Sequence, residues 1–122
     1  MAAAVVERRY YPRSGLRGQV AGWIGSNKVS PLDLSAGGVQ IEHFGFSRPG
    51  TVTFLTLFFP QHEITLKCKV VRSVVDRLAI LDNGEREIVY RTGLEFVNTS
   101  EHIRRIIGEY ISAFSYGKGE AP

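Results

Sequence analysis

Arg8, Arg9 and Arg13 crowd the start of a 122-residue chain, and the latter two are spaced RxxxR. The segment around them, "ERRYYPRSGLRG" (residues 7–18), holds four arginines in twelve residues, with Pro12 and two glycines among them. It has neither helical nor strand periodicity. A guanidinium is a planar, permanently charged fork of donors, and it meets a phosphate or carboxylate with two hydrogen bonds at once. Twenty residues after Arg13 comes Asp33, and Asp33, Ser35 and Gly38 are spaced DxSxxG within "PLDLSAGGVQI". A carboxylate accepts, a hydroxyl accepts or donates, and Gly37 and Gly38 permit positive φ or a close approach of backbone to a ligand. These residue types suit binding of a polar, anionic molecule. No nucleophile–base pair or pair of carboxylates at catalytic spacing occurs, so an enzyme is not expected.

The elements that must hold these residues read as β. Strands are expected at 16–24 ("LRGQVAGWI"), 38–44 ("GVQIEHF"), 50–60 ("GTVTFLTLFFP"), 63–75 ("EITLKCKVVRSVV"), 77–81 ("RLAIL") and 87–97 ("EIVYRTGLEFV"), with "DNGE" at 82–85 as a turn. Six strands at this spacing, with no helices between them, predict an antiparallel barrel or sandwich. The DxSxxG turn then enters the strand at 38–44. Phe54, Phe58 and Phe59 are expected to be buried, as are Leu94, Phe96 and Cys68, while Trp23 is expected in the core or at a barrel rim. Arg91 and Glu95 fall on the opposite, solvated side of the last strand, and His43, His62 and His102 read as surface residues. Ile103, Ile106, Ile107, Tyr110, Ile111 and Phe114 mark one face of an amphipathic C-terminal helix. Asn98 with Glu101 resembles a capping pair, and Gly117 a stop.

Composition sets the bounds. The chain is 43% hydrophobic and 22% charged, enough to bury a core. Fifteen basic and twelve acidic residues leave a net charge of +3, which suits an anionic partner but decides little alone. A single cysteine rules out an internal disulfide, and no Cys/His cluster suggests a metal. "MAAAVV" is too short for a signal h-region, and "FLTLFF" is far too short to span a bilayer. A cytoplasmic protein without membrane insertion is expected. The whole reads as one domain: an arm over about 1–15, a barrel over about 16–97 and a helix over about 99–116.

An RxxxR arm, a DxSxxG turn one strand-and-loop later, a six-stranded antiparallel body, a last strand "YRTGLEFVN" and then a helix together resemble the PilZ domain family, over roughly residues 7–115. The resemblance implies a PilZ-type β-barrel with a flexible N-terminal arm, and a bacterial receptor for the second messenger cyclic di-GMP. It carries Arg9 and Arg13 over as the motif arginines, and Asp33, Ser35 and Gly38 as the second motif. A basic residue directly before RxxxR, here Arg8, implies uptake of an intercalated pair of ligand molecules. No cofactor is implied. The chemistry agrees: guanidinium matches the O6/N7 edge of guanine, a phosphate, or a purine face, and a carboxylate accepts from the opposite edge.

Other readings stay open at this stage. The arginines can be solvated charge, and "DLSAGG" an ordinary turn in which Asp33 and Ser35 cap local backbone, a role compatible with ligand contact. A PilZ-like interaction module without ligand is one alternative. A basic barrel binding single-stranded nucleic acid is another. It requires aromatics interleaved with basic residues on exposed strands, and the expected burial of Phe54, Phe58 and Phe59 argues against it. With no second effector domain in view, output is expected to pass through an effector protein that the sequence does not identify.

Overall fold

The structure, a computed structural model, describes residues 20–120, with side chains in the last helix as far as residue 112. Six strands precede one helix: β1 (Ala21–Ile24), β2 (Asn27–Leu34), β3 (Gly38–Phe44), β4 (Val52–Phe58), β5 (Glu63–Ile80), β6 (Arg86–Phe96) and α1 (Glu101–Glu120). All pairings are antiparallel, and the sheet closes in the order β1-β2-β3-β6-β5-β4. Short β1 completes the ring, because it pairs β2 on one side and β4 on the other. Among the described residues closure pairs every strand of the ring on both sides, while β5 beyond Val70 continues as a ribbon paired with β6 alone.

Period-two patterning fills the barrel. In the first half of β5, Ile64, Leu66, Cys68 and Val70 are buried while Thr65, Lys67 and Lys69 face solvent. Val39, Ile41, Leu55, Leu57 and Leu94 complete the lining. Burial of each such side chain contributes about 1.5–3 kcal/mol. Burial also pushes the Cys68 thiol up to about 12, so it stays protonated and behaves as a small apolar residue. Helix α1 joins the same core through buried Ile106 and Ile107. Tyr110 stacks on Phe59 with ring centroids 4.2 Å apart, and its hydroxyl accepts from Gln61 N–H at 3.3 Å.

The six strands are not the six that the sequence predicts. β2 went unrecognised because Asn27, Lys28, Ser30, Pro31 and Asp33 break its apolar pattern. Pro31 is tolerated beside a register shift, where a missing N–H interrupts the ladder least. Conversely, the expected strands at 63–75 and 77–81 are one strand, β5, which keeps its pairing with β6 through two register shifts. The first strand begins at Ala21, and residues 16–19 lie outside the described chain.

Individual residues also depart from expectation. Leu55 and Leu57 take the inward positions of β4, so Phe54 and Phe58 point outward, 59% and 39% exposed, while Phe59 is buried. His43 is buried, not superficial. Its Nε2 is 2.6 Å from Thr92 Oγ1, and burial lowers its pKa. Ser100 caps α1 in place of Asn98, its Oγ accepting from Ile103 N–H at 3.2 Å. Asn98 instead makes the left-handed turn into the helix, at φ 54°. The helix continues past Gly117 to Glu120.

Among the described residues, no helix is long and apolar enough to cross a membrane, and no group of three or more acidic, histidine or cysteine side chains is placed to hold a metal ion.

Candidate functional site

The β2–β3 hairpin carries Asp33, Ser35 and Gly38. Its last cross-strand pair is Leu34 with Val39. The Ser35 N–H donates to the Gly38 carbonyl at 2.9 Å, and the Ser35 hydroxyl donates to the same oxygen at 3.2 Å. Ser35 therefore closes the turn, as a capping serine should. Asp33 does not cap: its exposed carboxylate makes no hydrogen bond or ion pair among the described residues, and both oxygens are available. The turn is tied to the neighbouring wall by the Phe96 N–H, which donates to the Gly37 carbonyl at 2.9 Å.

Gly38 is required by proximity and not by φ. A β-carbon there would stand 2.2 Å from the Leu94 carbonyl oxygen of β6. Among the described residues, the glycines that do take positive φ are Gly25, Gly45, Gly50 and Gly84. Backbone cannot yield as a flexible side chain does, so Gly38→Ala is expected to push β3 off β6. A stability loss of about 1–3 kcal/mol should follow, measurable as a lower urea midpoint. A midpoint equal to wild type would mean that the strands separate freely at this point.

Beside the hairpin, the outer face of the barrel opens into a cleft of about 500 Å³. Asp33, Ser35 and Gly38 line it from one side, and Arg72, Gly93 and Glu95 from the other. The volume is within the range of small-molecule sites, roughly 300–1,000 Å³. Arg72 is a site residue that sequence reasoning missed. The β5 register shifts between Val70 and Arg72, which sets Arg72 opposite Gly93. Because Gly93 lacks a side chain, the Arg72 stem can lie across it; a β-carbon on Gly93 would be 3.8 Å from Arg72 Cγ. The run "VVRSVV" carries the only trace of this, an arginine that breaks strict alternation.

The same outer face continues from the cleft into a charge cluster. Glu42, 1% exposed, accepts two hydrogen bonds from Arg77, Nη1 to Oε2 at 2.9 Å and Nη2 to Oε1 at 3.0 Å. Arg77 also contacts Asp76, whose other oxygen lies 3.2 Å from Arg91 Nη2. Arg91 is thus half-buried and ion-paired, not solvated as its strand position implies. Among the described residues the cluster brings together two guanidiniums and two carboxylates. The cluster ties β3, β5 and β6 to one another.

The structure brings Asp33, Ser35 and Gly38 together and adds Arg72. Arg8, Arg9 and Arg13 lie outside the described residues. A comparison with curated proteins finds no match. Among solved structures, the chain is similar to the PilZ domain of YcgR from Escherichia coli, a structure described as containing c-di-GMP. The TM-score is 0.66 and the identity 16%, over 93% of this chain and 96% of that one. At that identity the likeness shows the fold. The PilZ domain profile matches residues 7–113, from the arginine segment into α1, and by that match the chain belongs to the PilZ domain family.

Proposed function

We propose that this protein is a receptor that binds cyclic di-GMP without turning it over. The observation that carries the reading is the cleft at the DxSxxG turn, where an unengaged Asp33 carboxylate faces a site also lined by the Arg72 cation. A guanine presents N–H donors to such a carboxylate, and its O6/N7 edge or a phosphate accepts from an arginine fork. Family membership and the YcgR structure support the choice of ligand. In this reading Arg9 and Arg13 close over the ligand from the arm, which becomes ordered and passes the signal to an effector protein.

The test is calorimetric titration with cyclic di-GMP, in wild type and in Asp33→Ala. Saturable binding by wild type, weakened about tenfold in the variant, is expected for the loss of one charge-assisted contact. Absence of binding in wild type would leave the PilZ-like interaction module without ligand as the reading. The endpoint carries a second prediction. With Arg8 before RxxxR, two ligand molecules per chain are expected, since two stacked ligands bring four phosphates and a third arginine offsets charge that two cannot. Arg8→Leu should shift the ratio toward one while binding persists. A wild-type endpoint of one would remove the intercalated pair and keep the receptor.

A further inference from the structure

The outward rows of β1, β2, β4 and β5 form a face distinct from the cleft. Lys28 of β2 pairs with Trp23 of β1, Trp23 with Thr56 of β4, and Thr56 with Thr65 of β5. In the next row Phe54 pairs with Lys67, and beyond it Val52 pairs with Lys69. Phe58 lies on the other side of Thr56, opposite Glu63. Directly opposed residues share a face, so these rows place three aromatic rings among three lysines on open sheet. Phe54 and Phe58 are exposed, Trp23 is half-buried, and Lys28, Lys67 and Lys69 are exposed. None of the three lysines makes an ion pair among the described residues. Glu63 ends the patch at one corner. Glu95, opposite Lys69 on β6, belongs to the cleft already described.

This arrangement is the one that the expected burial of Phe54 and Phe58 argued against. Phe54 and Phe58 lie four residues apart on the outward face of one strand with Thr56 between them, and a cluster of exposed rings marks a contact surface. Lysine is depleted at protein–protein contacts, whereas rings interleaved with cations are what single-stranded nucleic acid requires: bases stack on the rings and phosphates meet the ammonium groups. Alternate residues of a strand are about 6.8 Å apart. Phe54, Trp23 and Phe58 therefore form a zigzag of platforms on which successive unstacked bases can lie. The surface continues past Trp23 and Lys28 into a second cleft of about 540 Å³, reaching Phe44. Between the rings sits the exposed Thr56–Thr65 hydroxyl pair, 3.0 Å apart, with lone pairs to spare for a ribose 2′-hydroxyl.

From these observations we infer that the β1/β4/β5 face is a second binding surface, for single-stranded RNA, separate from the site proposed for cyclic di-GMP. Trp23 is the chain's one tryptophan, so its fluorescence reports this face directly.

The experiment titrates the full chain with an oligouridylate of about 15 nucleotides, a length that suits one barrel face. Tryptophan quenching and the anisotropy of end-labelled RNA are read together. Binding that quenches Trp23 and weakens with salt is expected. It should fall about tenfold in Phe54→Ala and about tenfold in the Lys28→Glu, Lys67→Glu variant. Unchanged cyclic di-GMP titration in these variants shows that they fold and that the two surfaces are separate. The oligodeoxythymidylate arm should bind more weakly; equal affinity would overturn the assignment to RNA. Binding that survives Phe54→Ala but is lost in Arg8→Ala, Arg9→Ala, Arg13→Ala would assign the contact to the arm and overturn the proposal. No quenching at low salt would overturn it too, and would leave an acidic protein as the occupant to seek.

Discussion

Glu42→Ala is expected to destabilise the barrel by about 3 kcal/mol, the cost of breaking a buried ion pair from one side. The side chain is 1% exposed and receives both forks of Arg77, while Arg77 keeps 23% of its own side chain in solvent. Removing the carboxylate takes from Arg77 both of its hydrogen bonds to Glu42 and leaves Asp76 as the carboxylate that Arg77 and Arg91 share among the described residues. The penalty comes from stranding charge in a poorly solvated place, not from losing a favourable attraction. That distinction is testable. Replacing both partners, as Glu42→Met with Arg77→Met, removes the stranded charge and should cost less than Glu42→Ala alone. Urea midpoints at constant m-value read both effects. With total stabilities of about 5–15 kcal/mol, the single change should be plain in a melting curve. If the double variant loses more than the single one, the cluster acts by packing, and its charge balance is incidental.

The cluster also shows where sequence reading reached its limit. Alternation on β6 correctly put Leu94 inside and Arg91 outside. It could not show that the outside of β6 is itself covered at Arg91, because that depends on Glu42, 49 positions earlier, and on the shift near Asp76. Register shifts explain most of the other departures. One set Arg72 in the cleft, and another let Pro31 sit in a strand that its own sequence disguises. Splitting β5 into 63–75 and 77–81 and missing 27–34 offset each other, so the barrel came out right in strand number for partly wrong reasons. The turn was legible because DxSxxG is local: Ser35 binds a carbonyl three residues away. The reason for its glycine was not, since the Leu94 carbonyl that excludes a β-carbon lies 56 positions further on. Phe54 and Phe58 were misplaced by reading "FLTLFF" as uniformly buried; alternation within it turns Leu55, Leu57 and Phe59 inward.

Arg9→Ala and Arg13→Ala should each lower affinity for cyclic di-GMP by tenfold to a hundredfold while leaving the urea midpoint unchanged. Each change removes a charge-assisted contact worth on the order of 1.5–3 kcal/mol. The two positions are four residues apart, so one arginine can engage a phosphate while the other meets a guanine edge. If they serve different groups, the losses should add, and the double variant should bind roughly a thousandfold more weakly. If both clamp one phosphate, the second removal should cost less than the first. Salt provides an independent check, because a dianionic ligand held by several arginines must bind more weakly as ionic strength rises. That salt dependence should be shallower in each variant than in wild type. The Arg72 cation in the cleft sets the comparison: Arg72→Ala should reduce affinity without changing stoichiometry, since it stands on the barrel wall and not on the arm. Wild-type affinity in either Arg9→Ala or Arg13→Ala would sink the assignment of the RxxxR segment to the ligand, whatever the fate of the cleft.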